Sequence, residues 1–204
     1  MNKLKDVIDA IVKNTFSTMN NLYQKTGKVE TLLIFPKYTR GKKAGVIRVS
    51  EQELRQLFIE ELNNYVNSNG LNLHYSVETP TIDGYKFGGN APVACKNGRS
   101  AMFDLSIWED DKKVALVEFK SATADDSAYL KDICKLGNKI EGGKEVLRYF
   151  INIFEGANQK TVAKINKTLA VAPKPDHTIE LRFCSMNNPA VNNDFPTQFP
   201  SCNE

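Results

Sequence analysis

The chain has 204 residues, of which 41% are apolar and 25% charged, with a formal net charge of +3. Those are the proportions of one large soluble globular domain, or one domain with extensions, long enough to bury a substantial core. No run of eighteen apolar residues occurs, which excludes a membrane-spanning helix. Cys95, Cys134, Cys184 and Cys202 show no CxxC spacing, and His74 and His177 are the only histidines, so reduced structural thiols are expected rather than a zinc site.

Charge is unevenly distributed. Residues 1–48 hold ten Lys/Arg against three Asp/Glu, a balance of +7; the remaining 156 hold seventeen against twenty-one, a balance of −4. A basic segment on a mildly acidic body suits a polyanionic partner, although a merely solvated segment has the same composition. The opening stretch MNKLKDVIDAIVKN lacks the short apolar core of a signal peptide, and the expected location is the cytoplasm. Leu4, Val7, Ile8, Ile11 and Val12 recur at helical spacing and predict a helix from about Lys3 to Tyr23. VETLLIFP (29–36) then reads as a short strand closed by Pro36. The loop KYTRGKKAG follows, with Lys37, Arg40, Lys42 and Lys43 around Tyr38, and clustered cations on a loop suit contact with phosphates.

Ser50 and Glu53 in RVSEQELRQLFIEELNNYV have the spacing of a capping box, and Leu54, Leu57, Phe58, Leu62 and Tyr65 give the helix one apolar face. Gly70 marks its end. LNLHYSVETPTI (71–82) reads as a strand and DGYKFGGNAPVACKNG (83–98) as a Gly/Pro/Asn-rich loop without a phosphate-cradling motif. RSAMFDLSIW and KKVALVEFKSA make two strands joined by the polar turn EDD. A helix through DSAYLKDICKLGNK, a strand in EVLRYFINIFEG (145–156), a helix capped by Asn158 and a strand in TIELRFCSM (178–186) complete the order. The tail, 187–204, is Pro/Asn-rich and expected to be irregular. Three meandering strands followed by two helix–strand units predict an α/β fold, a mixed central sheet flanked by helices.

The stretch ALVEFKSA (115–122) carries Glu118 and Lys120 in an otherwise apolar strand, and residues two apart leave the same face. Asp104 lies in the preceding strand, FDLSI. If the two strands form a hairpin with a three-residue loop, Asp110 to Lys112, Asp104 stands opposite Glu118. A two- or four-residue loop puts them on opposite faces unless a bulge intervenes. On one face, two carboxylates repel, and a divalent cation with oxygen ligands, Mg²⁺ or Mn²⁺, removes the conflict. Lys120 would then orient or deprotonate a water, or neutralise charge on a phosphate. A same-face ion pair near a strand end is the plainer reading, since an ExK triplet is common.

FDLSIW followed by VEFKSA, after a capped helix carrying Glu51, resembles the PD-(D/E)XK nuclease superfamily, the restriction-endonuclease-like fold. The resemblance covers roughly residues 50–155, although Phe103 stands where the name-giving proline would be. It implies a Mg²⁺- or Mn²⁺-dependent nuclease acting on DNA, with 49–186 as nuclease core, 1–48 as basic N-terminal extension and 187–204 as tail. It further implies that Asp104, Glu118 and the Phe119 backbone carbonyl bind metal, that Lys120 acts on the attacking water, and that a helix glutamate assists. At about 100° per residue Glu51 lies near the edge of the apolar face, Glu53 lies away from it, and Glu61 is nearly three turns on; Glu51 is favoured, with Glu61 and Glu53 behind it. SEQELR also resembles a Glu-x-x-x-Arg helix start of some restriction subunits, here Glu51 and Arg55. Asp132 and Lys135 have the spacing of a surface ion pair, while the position of their helix implies that Lys131 or Lys135 touches phosphate. Endo- or exonuclease action and a homodimer are left open, as is a non-catalytic DNA-binding protein that keeps the fold.

Overall fold

Ile8, Ile11, Val12 and Met19, at i, i+3, i+4 and i+11, are buried, which gives α1 (Asn2–Gln24) one apolar face. α2 (Glu51–Asn69) begins at the expected capping box: the Ser50 N–H donates to Glu53 Oε2 at 2.8 Å, and the Ser50 hydroxyl bonds the same carboxylate. It ends at Gly70, whose φ of 59° is a conformation open to a residue without Cβ. Ser50→Ala is expected to lower stability by about 1 kcal/mol, read as a lower denaturant midpoint at unchanged m-value; an unchanged midpoint would show that the cap is energetically idle.

The computed structural model describes residues 2–27, 29–86, 93–94, 98–122 and 125–202. Its strands are β1 (Leu73–Lys86), β2 (Val93–Ala94), β3 (Arg99–Glu109), β4 (Lys112–Ser121), β5 (Leu147–Phe154), β6 (Ile179–Ser185) and β7 (Gln198–Phe199). They form one mixed sheet in the order β2-β1-β3-β4-β5-β6-β7. β4, β5 and β6 are mutually parallel, and the other neighbours are antiparallel. The parallel connections run through α3 (Asp126–Gly137) and α4 (Gln159–Val171). α4 is capped as expected, Asn158 Oδ1 accepting from the N–H groups of Lys160 and Thr161.

Alternation along the strands divides the core in two. Leu54, Leu57 and Phe58 of α2 pack with Val117, Phe119 and Ile151, whereas Ile133 of α3 and Ile165 of α4 pack with Leu116, Phe150 and Leu181. β5 is buried from Arg148 to Phe154, as a parallel strand covered on both faces should be. The α/β class with a mixed open sheet and flanking helices is therefore observed. Among the described residues no helix is long and apolar enough to cross a membrane.

Some expectations need correction. α1 belongs to the main core, and its Asp9 bonds Arg182 Nη2 of β6 at 2.7 Å, so it is not an appendage to the domain. Residues 29–36 form no strand; this part of the chain has only an isolated bridge, Lys37 to Ile47. Leu33 and Phe35 pack inward and Thr31 Oγ1 donates to Glu60 of α2, while Leu32 and Ile34 point outward. The alternation is that of an extended segment lying on a helix, with no strand beside it among the described residues. The tail is better ordered than expected: a 3₁₀ turn (Pro189–Asp194) and β7 bury Val191, Phe195 and Phe199. β1 and β2 take up part of the loop 83–98; its residues 87–92 and 95–97, Cys95 included, lie outside the described residues.

Candidate active site

β3 and β4 are joined by the two residues Asp110 and Asp111, the first with a φ of 51°, which aspartate tolerates better than most residues. The expected three-residue loop is therefore wrong. Glu109 pairs with Lys112 and Trp108 with Lys113, but Ile107 pairs with Ala115, leaving Val114 unpaired in a bulge. The bulge restores the register that the shorter turn would have lost: Ser106 faces Leu116 and Leu105 faces Val117, so one more step sets Asp104 against Glu118. Without it the two carboxylates would leave opposite faces.

The β3–β4 ladder stops at Leu105 and Val117, while β4 stays paired with β5 as far as Ser121. β3 also changes the layer it buries there, Leu105 packing with the α2 side and Phe103 with the α3 side. On its other edge Glu78 of β1 has a φ of 49°, between the pairs Val77–Leu105 and Thr79–Phe103. Asp104 bridges the divergence, its Oδ2 accepting the Phe119 N–H at 2.8 Å. A cavity of about 420 Å³ opens at this point, and Glu51, Asp104, Glu118, Lys120, Lys131, Asp132 and Lys135 are among its lining residues.

Two lysines and several carboxylates interlock in that cavity. Lys120 Nζ lies 2.6 Å from Asp132 Oδ2 and 3.7 Å from Glu51 Oε1, and it donates to the Phe119 carbonyl at 3.1 Å. Lys135 Nζ lies 2.5 Å from Glu118 Oε1 and 3.0 Å from Asp132 Oδ1, and it donates to the Met102 carbonyl at 2.8 Å. The Glu118, Lys135 and Asp132 side chains are only 1%, 3% and 4% exposed, so this is a buried charge network and not a surface one.

Electrostatics follow from that burial. Desolvation, with the carboxylates of Asp132 and Asp104 added, pushes the Glu118 carboxyl well above the usual range against the pull of Lys135. Desolvation also raises the Glu51 carboxyl, with Lys120 opposing and Asp104 and Asp132 adding to it. For Lys120 burial acts downward, but Asp132, Glu51 and Glu118 outweigh it and hold the ammonium above its ordinary value. Lys120 is thus a cation at neutral pH.

The other sequence candidates fall in different places. Glu53 is buried, because its carboxylate folds back onto the Ser50 cap and meets Arg48 at 3.4 Å, so it does not stand clear of the packed face as expected. Glu61 accepts from Thr18 Oγ1 at 2.9 Å, joining α1 to α2 away from the cavity. Arg55 pairs with Glu78 at 2.6 Å. Lys37, Arg40, Lys42 and Lys43 are exposed, as is Lys131 at the rim. Lys135 is buried and committed to carboxylates, which removes it from the expected phosphate contacts, and its pairing with Asp132 is not at the surface. Asp132 is the residue that sequence reasoning missed. Its i, i+3 spacing to Lys135 is visible in the sequence, but a shared bond to Lys120 across two elements is not.

Among the described residues no three His, Cys, Asp or Glu side chains form a ready-made metal-binding group. The set implied by the resemblance has only two, Asp104 and Glu118, besides a backbone carbonyl. Its chemistry fits a hard divalent cation: the donors are oxygens, and the carboxylates of Glu51, Asp104, Glu118 and Asp132 outnumber the ammonium groups of Lys120 and Lys135, the second of which engages Glu118 Oε1. No protein-family model, curated protein or solved structure matches the chain.

Proposed function

We propose that this chain is a metal-dependent nuclease with a restriction-endonuclease-like fold that hydrolyses DNA phosphodiester bonds. The observation that carries the reading is the meeting of Asp104, Glu118, Lys120 and Glu51 in one cavity where β3 parts from β4. Mg²⁺ or Mn²⁺, held by Asp104, Glu118 and the Phe119 carbonyl, would supply charge neutralisation at the phosphate and an acidified water. Lys120, a cation fixed by Asp132 and the Phe119 carbonyl, orients the nucleophilic water by donation and stabilises negative charge growing on the phosphate. Glu51 is the better proton acceptor: it is partly exposed to the cavity, and burial raises its carboxyl toward neutrality.

The basic loop would hold the DNA backbone. Lys37, Arg40, Lys42 and Lys43 project from the segment that leads into the Ser50 cap, two positions before which Arg48 joins Glu53. Lys42→Ala and Lys43→Ala are each expected to weaken DNA binding irrespective of sequence and to flatten the plot of log affinity against log salt by about 0.9. Fluorescence anisotropy across a salt series checks this, and an unchanged slope in both variants removes the loop from the interface.

The reading itself is tested by incubating the chain with duplex, single-stranded and branched DNA in Mg²⁺ or Mn²⁺, with EDTA as control. A second reading, a non-catalytic DNA-binding protein, is favoured by the engagement of Glu118 with Lys135. Binding without cation-dependent cleavage of any of the three substrates would select it.

A further inference from the structure

The buried ammonium of Lys135 has no part in the chemistry above, yet it makes the closest ion pair at Glu118. Its Nζ is 2.5 Å from Glu118 Oε1, 3.0 Å from Asp132 Oδ1, 2.8 Å from the Met102 carbonyl and 5.6 Å from the centre of the Phe103 ring. We propose that Lys135 is the internal counter-ion of Glu118 and competes with a divalent cation for that carboxylate. The inference rests on the metal-dependent reading of the cavity and adds a regulatory element to it.

The geometry makes the two cations rivals. A magnesium or manganese ion binds carboxylate oxygen at about 2.0–2.2 Å, and an ammonium already stands against the same oxygen atom. With both side chains nearly excluded from water, solvent and salt screen the repulsion between the two cations only weakly. Lys135 therefore has to leave Glu118 when the divalent ion arrives. Asp132 Oδ1 and the Met102 carbonyl remain as its partners, so the retreat is a small sideways shift that does not expose a charge. Asp132 in turn keeps Lys120 in place through its other oxygen. By linkage, whatever the ion pair contributes to the metal-free protein is subtracted from cation affinity.

The test uses the full chain and Mn²⁺ alone as probe, with free Mn²⁺ counted by electron paramagnetic resonance. Lys135→Gln, which keeps a donor for the Met102 carbonyl but loses the charge, is expected to bind Mn²⁺ on the order of tenfold more tightly than the parent. Mn²⁺ should also raise its melting temperature more. Lys135→Arg retains the charge and should show no gain. Equal or weaker Mn²⁺ binding by folded Lys135→Gln, or an equal gain in Lys135→Arg, overturns the competition while the metal reading stands. Absence of Mn²⁺ binding in parent and variants overturns both. Should Lys135→Gln not fold, the parent gives the answer: the ¹⁵Nζ resonance of Lys135 must move on saturation with Mg²⁺, and an unmoved resonance refutes the proposal.

Discussion

Lys120→Ala is expected to lower Mg²⁺- or Mn²⁺-dependent DNA cleavage by about 10³-fold or more while leaving the protein folded. The side chain is 12% exposed, and its polar contacts include Asp132, Glu51 and the Phe119 carbonyl. When it is removed, Asp132 keeps Lys135 at 3.0 Å, so the remaining carboxylate is not left as a lone buried charge. What is lost is the cation that faces the cavity. Asp104→Ala should be equally inactive, with a larger structural cost because the Phe119 N–H loses its acceptor. Gel assays of cleavage with circular dichroism as a folding control decide the matter; full activity in both variants would falsify the assignment.

Glu118→Gln is expected to abolish cleavage and yet raise the stability of the metal-free protein at neutral pH by about 2–4 °C, the shift that roughly 1 kcal/mol gives a domain of this size. The sign follows from linkage. Burial and the neighbouring carboxylates raise the folded-state pKa of Glu118 above its unfolded value near 4.5. Below that value both states carry the proton and the carboxyl costs nothing. As pH rises, unfolded chains release a proton that the folded protein keeps, so stability falls until the raised folded pKa has been passed. The amide has the same shape and no such slope, and Lys135 keeps Asp132 as its partner. Melting curves from pH 4 to pH 8 should show parent and variant coinciding in acid and separating upward. A parent more stable than the variant at pH 8 would mean that the Lys135–Glu118 pair outweighs its desolvation.

How much of this was legible in the sequence depends on the range of the interaction. Ser50 with Glu53, Gly70 at the end of α2 and Asn158 before α4 were readable because capping joins residues a few positions apart. The strand VEFKSA was readable from its apolar run; a helix glutamate beside it was implied only by the family resemblance, helical geometry ranked Glu51 ahead of Glu61 and Glu53, and Glu51 lines the cavity. The segment 29–36 misled because alternation reports one buried side, and a helix can supply that side as well as a sheet.

The hairpin marks the boundary most clearly. By itself the sequence determined that Asp104, Glu118 and Lys120 lie on adjoining strands, since residue type, spacing and a short polar turn are local properties. Whether the carboxylates share a face depended on one residue, Val114, being left out of the ladder, a choice made by the packing of the whole sheet. Only the tertiary structure could decide the state of Glu118. Its partner Lys135 comes from a helix beyond the strand, its competitor Asp132 from the same helix, and its depth from the layers closing over it. A buried charge is set by everything that surrounds it, and no window of sequence contains that.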